Sequence, residues 1–398
     1  MKVLFLTSVD HPQVRLEAEH LGKKLDLTYV VVPSLNKKLL PQSLKYLIKH
    51  FPKVCLSLIK LHPPLIPQVL YYLLLFVTFL ENKKIASKKY DIIYAHWLYP
   101  AGFLALLLSK IWETKVVSVI WGYDIQVVRE AKNYGIYGTN RVISRFVIEK
   151  SDLVVTNHKI HKIIAYHISK QKINNKIIYI PPAIPDISLN IQEEPTTELK
   201  EKISPILNNS RKKVVLYAPS LRPLYGIKEF LKATRIVSNS IKDCVFIIVG
   251  DGELKNEAIK FIRENELEDR VFLLGKVSYE SMKILYKMST LVCDLAYPGT
   301  GTTTLEAFCF GKPVIGIKSP KSVITHGKNG FLIEKGDYES LAKYMEILLK
   351  HPKLQETFSL EARNTYEKYF NIEKRILALV GIFNKMMQVF HNEQFKLS

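Results

Sequence analysis

Acidic residues are scarce in this chain of 398 residues, in which 37 aspartates and glutamates oppose 57 lysines and arginines and leave a formal net charge of +20. The shortage is sharpest between residues 36 and 90, which contain ten lysines and a single acid, Glu81. Such a surface favours an anionic partner, either a membrane or a nucleic acid. Because no helix-turn-helix, RNA-recognition or zinc-finger pattern accompanies the charge, we expect no nucleic acid partner.

Long uninterrupted apolar runs are also missing. The apolar stretch at residues 65–80 is interrupted by Pro67 and Gln68, and a spanning helix needs roughly 20 apolar residues. With lysines on both sides, the stretch predicts apolar helices that dock on an anionic membrane surface. A core helix with a lysine-rich exposed face is the alternative. The apolar run at residues 1–7 predicts a first strand. It is too short for a signal peptide.

Cysteine pairs at the spacing of metal sites are absent. Three of the four cysteines lie within apolar runs, which predicts buried, reduced thiols and a cytoplasmic protein. The four are Cys55, Cys244, Cys293 and Cys309.

Short β-branched segments alternate with helical stretches, the pattern of an open parallel sheet flanked by helices. A proline-rich and polar stretch interrupts the alternation and predicts a linker at 186–210. The fold class is therefore α/β, with two doubly wound, Rossmann-like domains at 1–185 and 211–370. Residues 371–398 predict an amphipathic helix that returns to the first domain. Since such sheets bind ligands at the carboxyl ends of their strands, we expect the two domains to face each other across a cleft that holds the site.

A glycine–threonine loop leads into a helix that carries Glu306. The unpaired backbone N–H groups and the positive end of the helix dipole at such a start suit a diphosphate. A carboxylate one turn into the helix can accept hydrogen bonds from ribose hydroxyls. We therefore predict a nucleotide site in which Glu306 binds the ribose and Gly301, Thr302 and Thr303 bind the diphosphate.

Further motifs accompany this loop in both halves of the chain. They are Val249-Gly-Asp-Gly252, Leu274-Gly-Lys-Val277, Lys312-Pro-Val-Ile315, Asn329-Gly-Phe-Leu332, His11-Pro-Gln-Val-Arg15-Leu-Glu17-Ala18, Ala95-His-Trp97 and Trp121-Gly-Tyr-Asp124. With these motifs the chain resembles the retaining glycosyltransferases of the GT-B fold, specifically glycosyltransferase family 4 of the group 1 glycosyl transferases. The resemblance implies transfer of a hexosyl unit from a nucleoside diphosphate sugar with retention at the anomeric carbon. Because no Asp-x-Asp pair occurs, we expect no metal ion or other cofactor.

The resemblance also implies roles for individual residues on the donor side. Gly250 and Asp251 would line the nucleotide site, and Lys276 would lie near the base. Arg222 belongs to the loop that resembles the family's phosphate-binding segment, and an arginine binds a diphosphate bidentately. We expect it to stabilise the leaving group, although a surface arginine is the alternative.

On the acceptor side, His96 follows a predicted strand and Asp124 is the best-placed acid, so both are candidates for catalysis. Trp97 and Trp121 are candidates for stacking on a sugar ring, although core packing is equally ordinary for them. His11 and Arg15 lie on the first strand-to-helix loop, where an acceptor phosphate would meet them. These six residues form the predicted acceptor side.

Four positions depart from the family pattern. Pro298 occupies the position of a glutamate that contacts the donor sugar in the family, Ser220 and Tyr225 replace an arginine and a lysine, and Trp121 replaces a histidine. These departures support an alternative, a non-catalytic glycosyltransferase-like protein that binds at the membrane surface. A nucleotide-sugar epimerase is a further alternative. Because the basic apolar helices belong to the acceptor domain, we expect a lipid-linked or glycolipid acceptor and a peripheral position on the inner face of the cell membrane.

Overall fold

The computed structural model describes residues 1–32, 40–63, 67–82, 85, 88–122, 124–125, 135–170, 174–189, 197–207, 213–297 and 301–395. The chain divides into two compact units, which are called the first and the second domain here. The first comprises Met1–Pro182 and Glu373–Ser398, and the second comprises Ala183–Ile372.

The first domain is built on a parallel six-stranded sheet with the strand order β2-β1-β3-β4-β5-β6. Its central strands are apolar on both faces, as expected for a parallel sheet that is covered by helices on both sides. The strands are β1 (Lys2–Thr7), β2 (Asp26–Val31), β3 (Ile92–His96), β4 (Lys115–Ile120), β5 (Leu153–Thr156) and β6 (Ile177–Tyr179).

Helices of the first domain connect these strands and fill its core. They are α1 (Pro12–Gly22), α2 (Leu40–Lys49), α3 (Phe51–Leu61), α4 (Pro67–Leu80), α5 (Phe103–Trp112), α6 (Gly135–Lys150) and α7 (Lys159–Ile168). None of the helices among the described residues is long and apolar enough to cross a membrane.

The second domain repeats the architecture with the strand order β12-β11-β10-β7-β8-β9. Its strands are β7 (Lys213–Tyr217), β8 (Cys244–Val249), β9 (Val271–Gly275), β10 (Leu291–Asp294), β11 (Val314–Ile317) and β12 (Gly330–Ile333). Its helices are α8 (Thr197–Leu207), α9 (Ile227–Ser240), α10 (Lys255–Glu264), α11 (Tyr279–Met288), α12 (Thr302–Cys309), α13 (Tyr338–Lys350) and α14 (Pro352–Thr365). The prediction of two doubly wound, Rossmann-like domains is therefore confirmed.

The last helix, α15 (Ile372–Phe395), packs on the first domain from Glu373 onwards. The ring of Phe383 on this helix is buried and lies 5.3 Å from the ring of Tyr94 on β3. The chain thus returns to its first domain after completing the second.

The structure places the segment predicted as a linker inside the second domain. Leu199 and Ile203 of α8 are buried in its core together with Ile187. Asp186 accepts hydrogen bonds from both terminal nitrogens of Arg363 on α14, at 2.5 and 3.3 Å. The prediction missed this packing because the polar and proline-rich composition outweighed the few apolar residues. Residues 190–196 and 208–210 of the predicted linker lie outside the described residues.

Candidate functional site

The glycine–threonine loop lies at the carboxyl end of β10, where the sequence predicted a diphosphate site. Gly301 is the N-cap of α12, and Thr302 and Thr303 form the first turn of that helix. Gly301 and Thr302 are exposed, so the start of the helix is accessible. This arrangement can bind an anion. Pro298, the position of the missing family glutamate, lies outside the described residues.

Glu306 lies one turn into α12 and is half-buried. Its carboxylate accepts a hydrogen bond of 2.9 Å from the hydroxyl of Tyr286, which is fully buried on α11. Burial raises the pKa of Glu306 despite this hydrogen bond. The Glu306 carboxylate is therefore held in place as a hydrogen-bond acceptor near the glycine–threonine loop.

Asp294, at the last position of β10, is a buried acid that the sequence analysis did not single out. Its carboxylate accepts a hydrogen bond of 2.6 Å from the hydroxyl of Thr304 on α12 and one of 3.4 Å from the N–H of Ala296. Burial raises its pKa. Asp294 fastens the start of α12 to the sheet and thereby positions the predicted diphosphate ligands. Its only signal in the sequence is an acid at the end of an apolar strand.

The predicted Gly250–Asp251 turn packs directly against the loop that carries Arg222. Gly250 has φ +120°, in the region that favours glycine, and its N–H donates to the carbonyl of Gly275 at 2.9 Å. A Cβ atom on Gly252 would lie 2.3 Å from the carbonyl oxygen of Leu221, so only glycine fits there. Asp251 is exposed at this turn.

Arg222 and Lys276 are exposed on the loops that follow β7 and β9, on either side of the loop after β8. The Arg222 loop also reaches the segment before α12, because the N–H of Tyr297 donates to the carbonyl of Leu224 at 3.0 Å. The structure therefore brings the loops of the predicted donor residues together at the carboxyl ends of β7 to β10. Ser220 is exposed beside Arg222, and the Tyr225 carbonyl accepts from the Tyr217 hydroxyl at 2.8 Å.

Four of the predicted acceptor-side residues form one aromatic cluster at the carboxyl ends of the strands in the first domain. The indoles of Trp97 and Trp121 stack with their ring centroids 5.3 Å apart and their planes 19° apart. The ring of His11 lies 5.9 Å from that of Trp121. The Nδ1 of His96 accepts a hydrogen bond of 3.0 Å from the Trp121 indole N–H. Because both indoles are half-buried, they can offer an apolar surface to a ligand.

Asp124 does not point into this accessible region. Its side chain is buried, and its carboxylate accepts hydrogen bonds from the N–H groups of Leu98 at 3.1 Å and Gly122 at 2.9 Å. Burial raises its pKa to about 6 although the backbone hydrogen bonds act in the opposite direction. With both oxygens bound to the backbone, Asp124 positions the segments that carry the two indoles. This geometry does not favour the predicted role of Asp124 in catalysis.

Arg15 and His11 each have a local partner. Arg15 is exposed and forms a bidentate ion pair with Asp10, which also accepts a hydrogen bond of 3.1 Å from Tyr29. A phosphate at this position would have to compete with Asp10. His11 caps α1, since its Nδ1 accepts from the N–H of Gln13 at 3.3 Å, and burial lowers its pKa.

A buried charge network lies beneath the aromatic cluster. Glu17 on α1 accepts hydrogen bonds from the hydroxyl of Tyr94 at 2.6 Å and from Nε of Arg375 at 2.8 Å. Arg375, on α15, also donates to Asn157 and to the carbonyls of residues 180 and 181. Glu17 lies within the motif at residues 11–18, but the sequence alone indicated no role for Glu17 or for Arg375.

Comparison of the sequence with known proteins finds one matching family. Residues 199–365, the larger part of the second domain, match the model of a family described as glycosyl transferases group 1. Among curated relatives, the N-acetyl-alpha-D-glucosaminyl L-malate synthase of Bacillus anthracis is 26% identical over 308 residues, 75% of each chain. The UDP-Gal:alpha-D-GlcNAc-diphosphoundecaprenol alpha-1,3-galactosyltransferase of Escherichia coli is 26% identical over 320 residues, 77% of this chain and 78% of the relative.

Solved structures agree on the fold. The Anabaena protein HepE in complex with UDP superimposes with a TM-score of 0.71 at 18% identity, covering 97% of this chain and 100% of that one. Sucrose-phosphate synthase from Thermosynechococcus elongatus gives a TM-score of 0.67 at 17% identity, covering 98% of this chain and 100% of that one. Likeness at these identities shows the fold, which is GT-B with two Rossmann-like domains.

Proposed function

Since residues 199–365 match the model of the glycosyl transferases group 1 family, we propose that the chain transfers a hexosyl unit from a nucleoside diphosphate sugar. The acceptor is a lipid-linked glycan, and the anomeric configuration is retained. The observation that carries the proposal is the half-buried Glu306 carboxylate on a helix that starts at the exposed residues Gly301 and Thr302. The helix α12 thus carries a carboxylate that can accept hydrogen bonds from hydroxyl groups, next to a helix start that can bind an anion.

The residues of the donor loops suit the departure of a nucleoside diphosphate. Because the leaving group already carries its negative charge on a diphosphate, catalysis needs donors that stabilise this charge more than it needs a strong acid. The amides at the start of α12 and the exposed guanidinium of Arg222 are such donors. The leaving phosphate takes the proton of the acceptor hydroxyl on the same face of the sugar. This scheme requires neither a metal ion nor another cofactor.

The first domain offers a surface for the acceptor. The stacked indoles of Trp97 and Trp121 present apolar rings to the C–H face of a sugar. The name of the Escherichia coli relative gives a diphosphoundecaprenol-linked sugar as its acceptor, whereas that of the Bacillus anthracis relative gives L-malate. We favour the lipid-linked class because of the surface formed by α2 and α3.

The outer face of α2 and α3 is both apolar and basic. Ile48 is 79% exposed, Phe51 is 61% exposed and Ile59 is 67% exposed, and Leu56 adds a fourth apolar side chain. Residues 40–61 hold four lysines and no acid. Exposed apolar side chains among lysines fit an anionic bilayer, in which the apolar groups insert and the lysines contact head groups. A peripheral position on the cytoplasmic face of the membrane follows from this interpretation.

The direct test is a transfer assay with the purified protein. UDP-, GDP- and ADP-hexoses are offered as donors, and the acceptors are N-acetylglucosamine linked to a short polyprenyl diphosphate, free N-acetylglucosamine and L-malate. We expect product with the lipid-linked acceptor. We also expect NMR to show that the new glycosidic linkage has the anomeric configuration of the donor sugar. Product with L-malate alone would contradict the acceptor class, and an inverted linkage would contradict retention.

The same assay addresses the non-catalytic alternative, which rests on Pro298, Ser220 and Tyr225. The alternative would be supported if the protein binds a nucleotide, forms no product with any acceptor and releases no sugar from the donor. Conversion of the donor into an epimer without an acceptor would support the epimerase.

Removal of two apolar side chains from the outer face of α3 is expected to abolish membrane binding. Each buried Leu or Ile contributes about 1.5–3 kcal/mol, so the double change Leu56→Ser and Ile59→Ser should weaken binding by about a hundredfold or more. Flotation with vesicles of phosphatidylglycerol and phosphatidylcholine measures this effect. Leu360→Ser is the matched control, because Leu360 is 63% exposed on α14 of the second domain. Equal flotation of the double variant and the parent would contradict the proposed surface.

A further inference from the structure

The orientation of the Trp121 indole is set by His96. An indole N–H only donates, so the His96 Nδ1 that lies 3.0 Å from it must accept. The neutral imidazole therefore carries its proton on Nε2. The plane of the ring is fixed as well, because the ring of Phe5 stacks on it with centroids 4.5 Å apart. A change of tautomer at His96 would remove the acceptor for the indole.

The tautomer of His96 is in turn favoured by Glu17. His96 is fully buried, and its Nε2 has no hydrogen-bond acceptor within bonding distance among the described residues. A carboxylate oxygen of Glu17 lies 3.6 Å from this nitrogen. Because that oxygen is negatively charged, it favours the proton on Nε2 and leaves Nδ1 as the acceptor for Trp121.

Glu17 is held in place from the far end of the chain. Its carboxylate is bound by the hydroxyl of Tyr94 and by the guanidinium of Arg375. Arg375 is only 4% exposed and is fixed by further hydrogen bonds to Asn157 and to backbone carbonyls. The C-terminal helix is thereby connected through Glu17 and His96 to the stacked indoles.

We propose that Glu17, held by Arg375, is a positioning residue that acts through His96 to keep the Trp97–Trp121 pair in place as a platform for the acceptor sugar. The proposal rests on the proposed function, because the acceptor sugar is the ligand of the platform. Glu17 contacts neither substrate, and its effect is confined to the acceptor side.

The chain offers a direct optical readout of this platform. It contains three tryptophans, and the third, Trp112, packs on Tyr90 with ring centroids 5.5 Å apart. In the Trp112→Phe protein the two stacked indoles are the only indoles left, and their exciton couplet in circular dichroism reports their mutual orientation. The couplet is measured without any substrate, whereas the KM for the polyprenyl-diphosphate-linked N-acetylglucosamine reports acceptor binding.

Variants of His96 and Glu17 in this background test the proposal. His96→Leu removes the acceptor for the indole, so we expect the couplet to be lost and the acceptor KM to rise about fivefold, the effect of one ordinary hydrogen bond. The apparent affinity for the donor nucleotide should not change. His96→Asn can place an amide oxygen near the position of Nδ1, so it should retain the couplet and a nearly normal KM. Glu17→Gln should weaken the couplet when the histidine is present and have no further effect when it is combined with His96→Asn.

The outcomes separate positioning from simple packing. A couplet that persists in both His96→Leu and Glu17→Gln would overturn the proposal. Equal losses of the couplet in His96→Leu and His96→Asn would also overturn it. The same holds if Glu17→Gln weakens the couplet further when it is combined with His96→Asn. If His96→Leu or Glu17→Gln does not fold, His96→Asn and the double variant Glu17→Gln with Arg375→Met, which leaves no uncompensated buried charge, still decide between these outcomes. Absence of transfer by the parent protein would refute the proposed function, and the couplet would still decide whether the network holds the indoles.

Discussion

Replacement of Arg375 by methionine is expected to lower the free energy of unfolding of the first domain by about 3–5 kcal/mol, because it leaves a buried carboxylate without its counter-charge. The Arg375 and Glu17 side chains are 3% and 5% exposed, and the ion pair between them measures 2.8 Å. All three tryptophans of the chain belong to the first domain, so urea unfolding followed by tryptophan fluorescence reports this domain.

Lys374 provides the matched control for this prediction. It is the preceding residue on the same helix and is exposed, so Lys374→Met removes the same charge at a cost within about 0.5 kcal/mol. The double variant Glu17→Gln with Arg375→Met should recover much of the lost stability, because no uncompensated charge remains. Similar stabilities of Arg375→Met and Lys374→Met would show that the ion pair is not what holds α15 to the domain.

The contribution of the ion pair depends on pH. Burial alone would raise the pKa of Glu17, but Arg375 and the hydrogen bonds to its carboxylate hold that pKa well below the usual range of a glutamate. A carboxyl group with a lowered pKa in the folded state stabilises the protein above its unfolded pKa, and this stabilisation is lost as the pH falls below that value. The difference in stability between the parent and Arg375→Met should therefore be largest near neutral pH and narrow in acid.

The fold was predictable because strands that are buried on both faces appear as continuous β-branched runs. Cys244–Val249 and Val314–Ile317 are buried throughout, and both could be recognised in the sequence. The domain boundary was not predictable in the same way. The residues after 182 have the composition of a linker, and only the contacts of Asp186 and α8 place them in the second domain.

The loops of the predicted donor site could also be located in the sequence, since the conformation of a loop and helix start depends on nearby residues such as Gly301 and Thr302. The network of Glu17 and Arg375 was not, because the two residues are 358 positions apart. On an amphipathic helix a buried charge cannot be distinguished from a solvated one by its spacing. Asp124 shows the opposite error, since an acid near the predicted site is bound to the backbone on both oxygens.

Replacement of Glu306 by alanine is expected to weaken the binding of the donor nucleotide by about a hundredfold, because two hydrogen bonds between a carboxylate and the ribose hydroxyls contribute at least about 1.5 kcal/mol each. Calorimetric titration with UDP, GDP and ADP measures the effect, at a salt concentration that suppresses non-specific binding to a protein of charge +20. Glu334→Ala is the charge-matched control, because the Glu334 side chain is 68% exposed and pairs with Lys318 in the same domain.

The role of Glu306 as an acceptor can be separated from its role in packing. Tyr286→Phe removes the hydroxyl that bonds to Glu306 but keeps the carboxylate, so nucleotide affinity should change little while the stability of the second domain falls. Because burial raises the pKa of Glu306, its anionic form is lost at a higher pH than that of an exposed glutamate. The affinity of the parent for the nucleotide should therefore decline with acidification from a correspondingly higher pH, and this decline should be absent in Glu306→Ala. A Glu306→Ala protein that binds nucleotide as tightly as the parent would place the ribose elsewhere and remove the main support for a donor site at the start of α12.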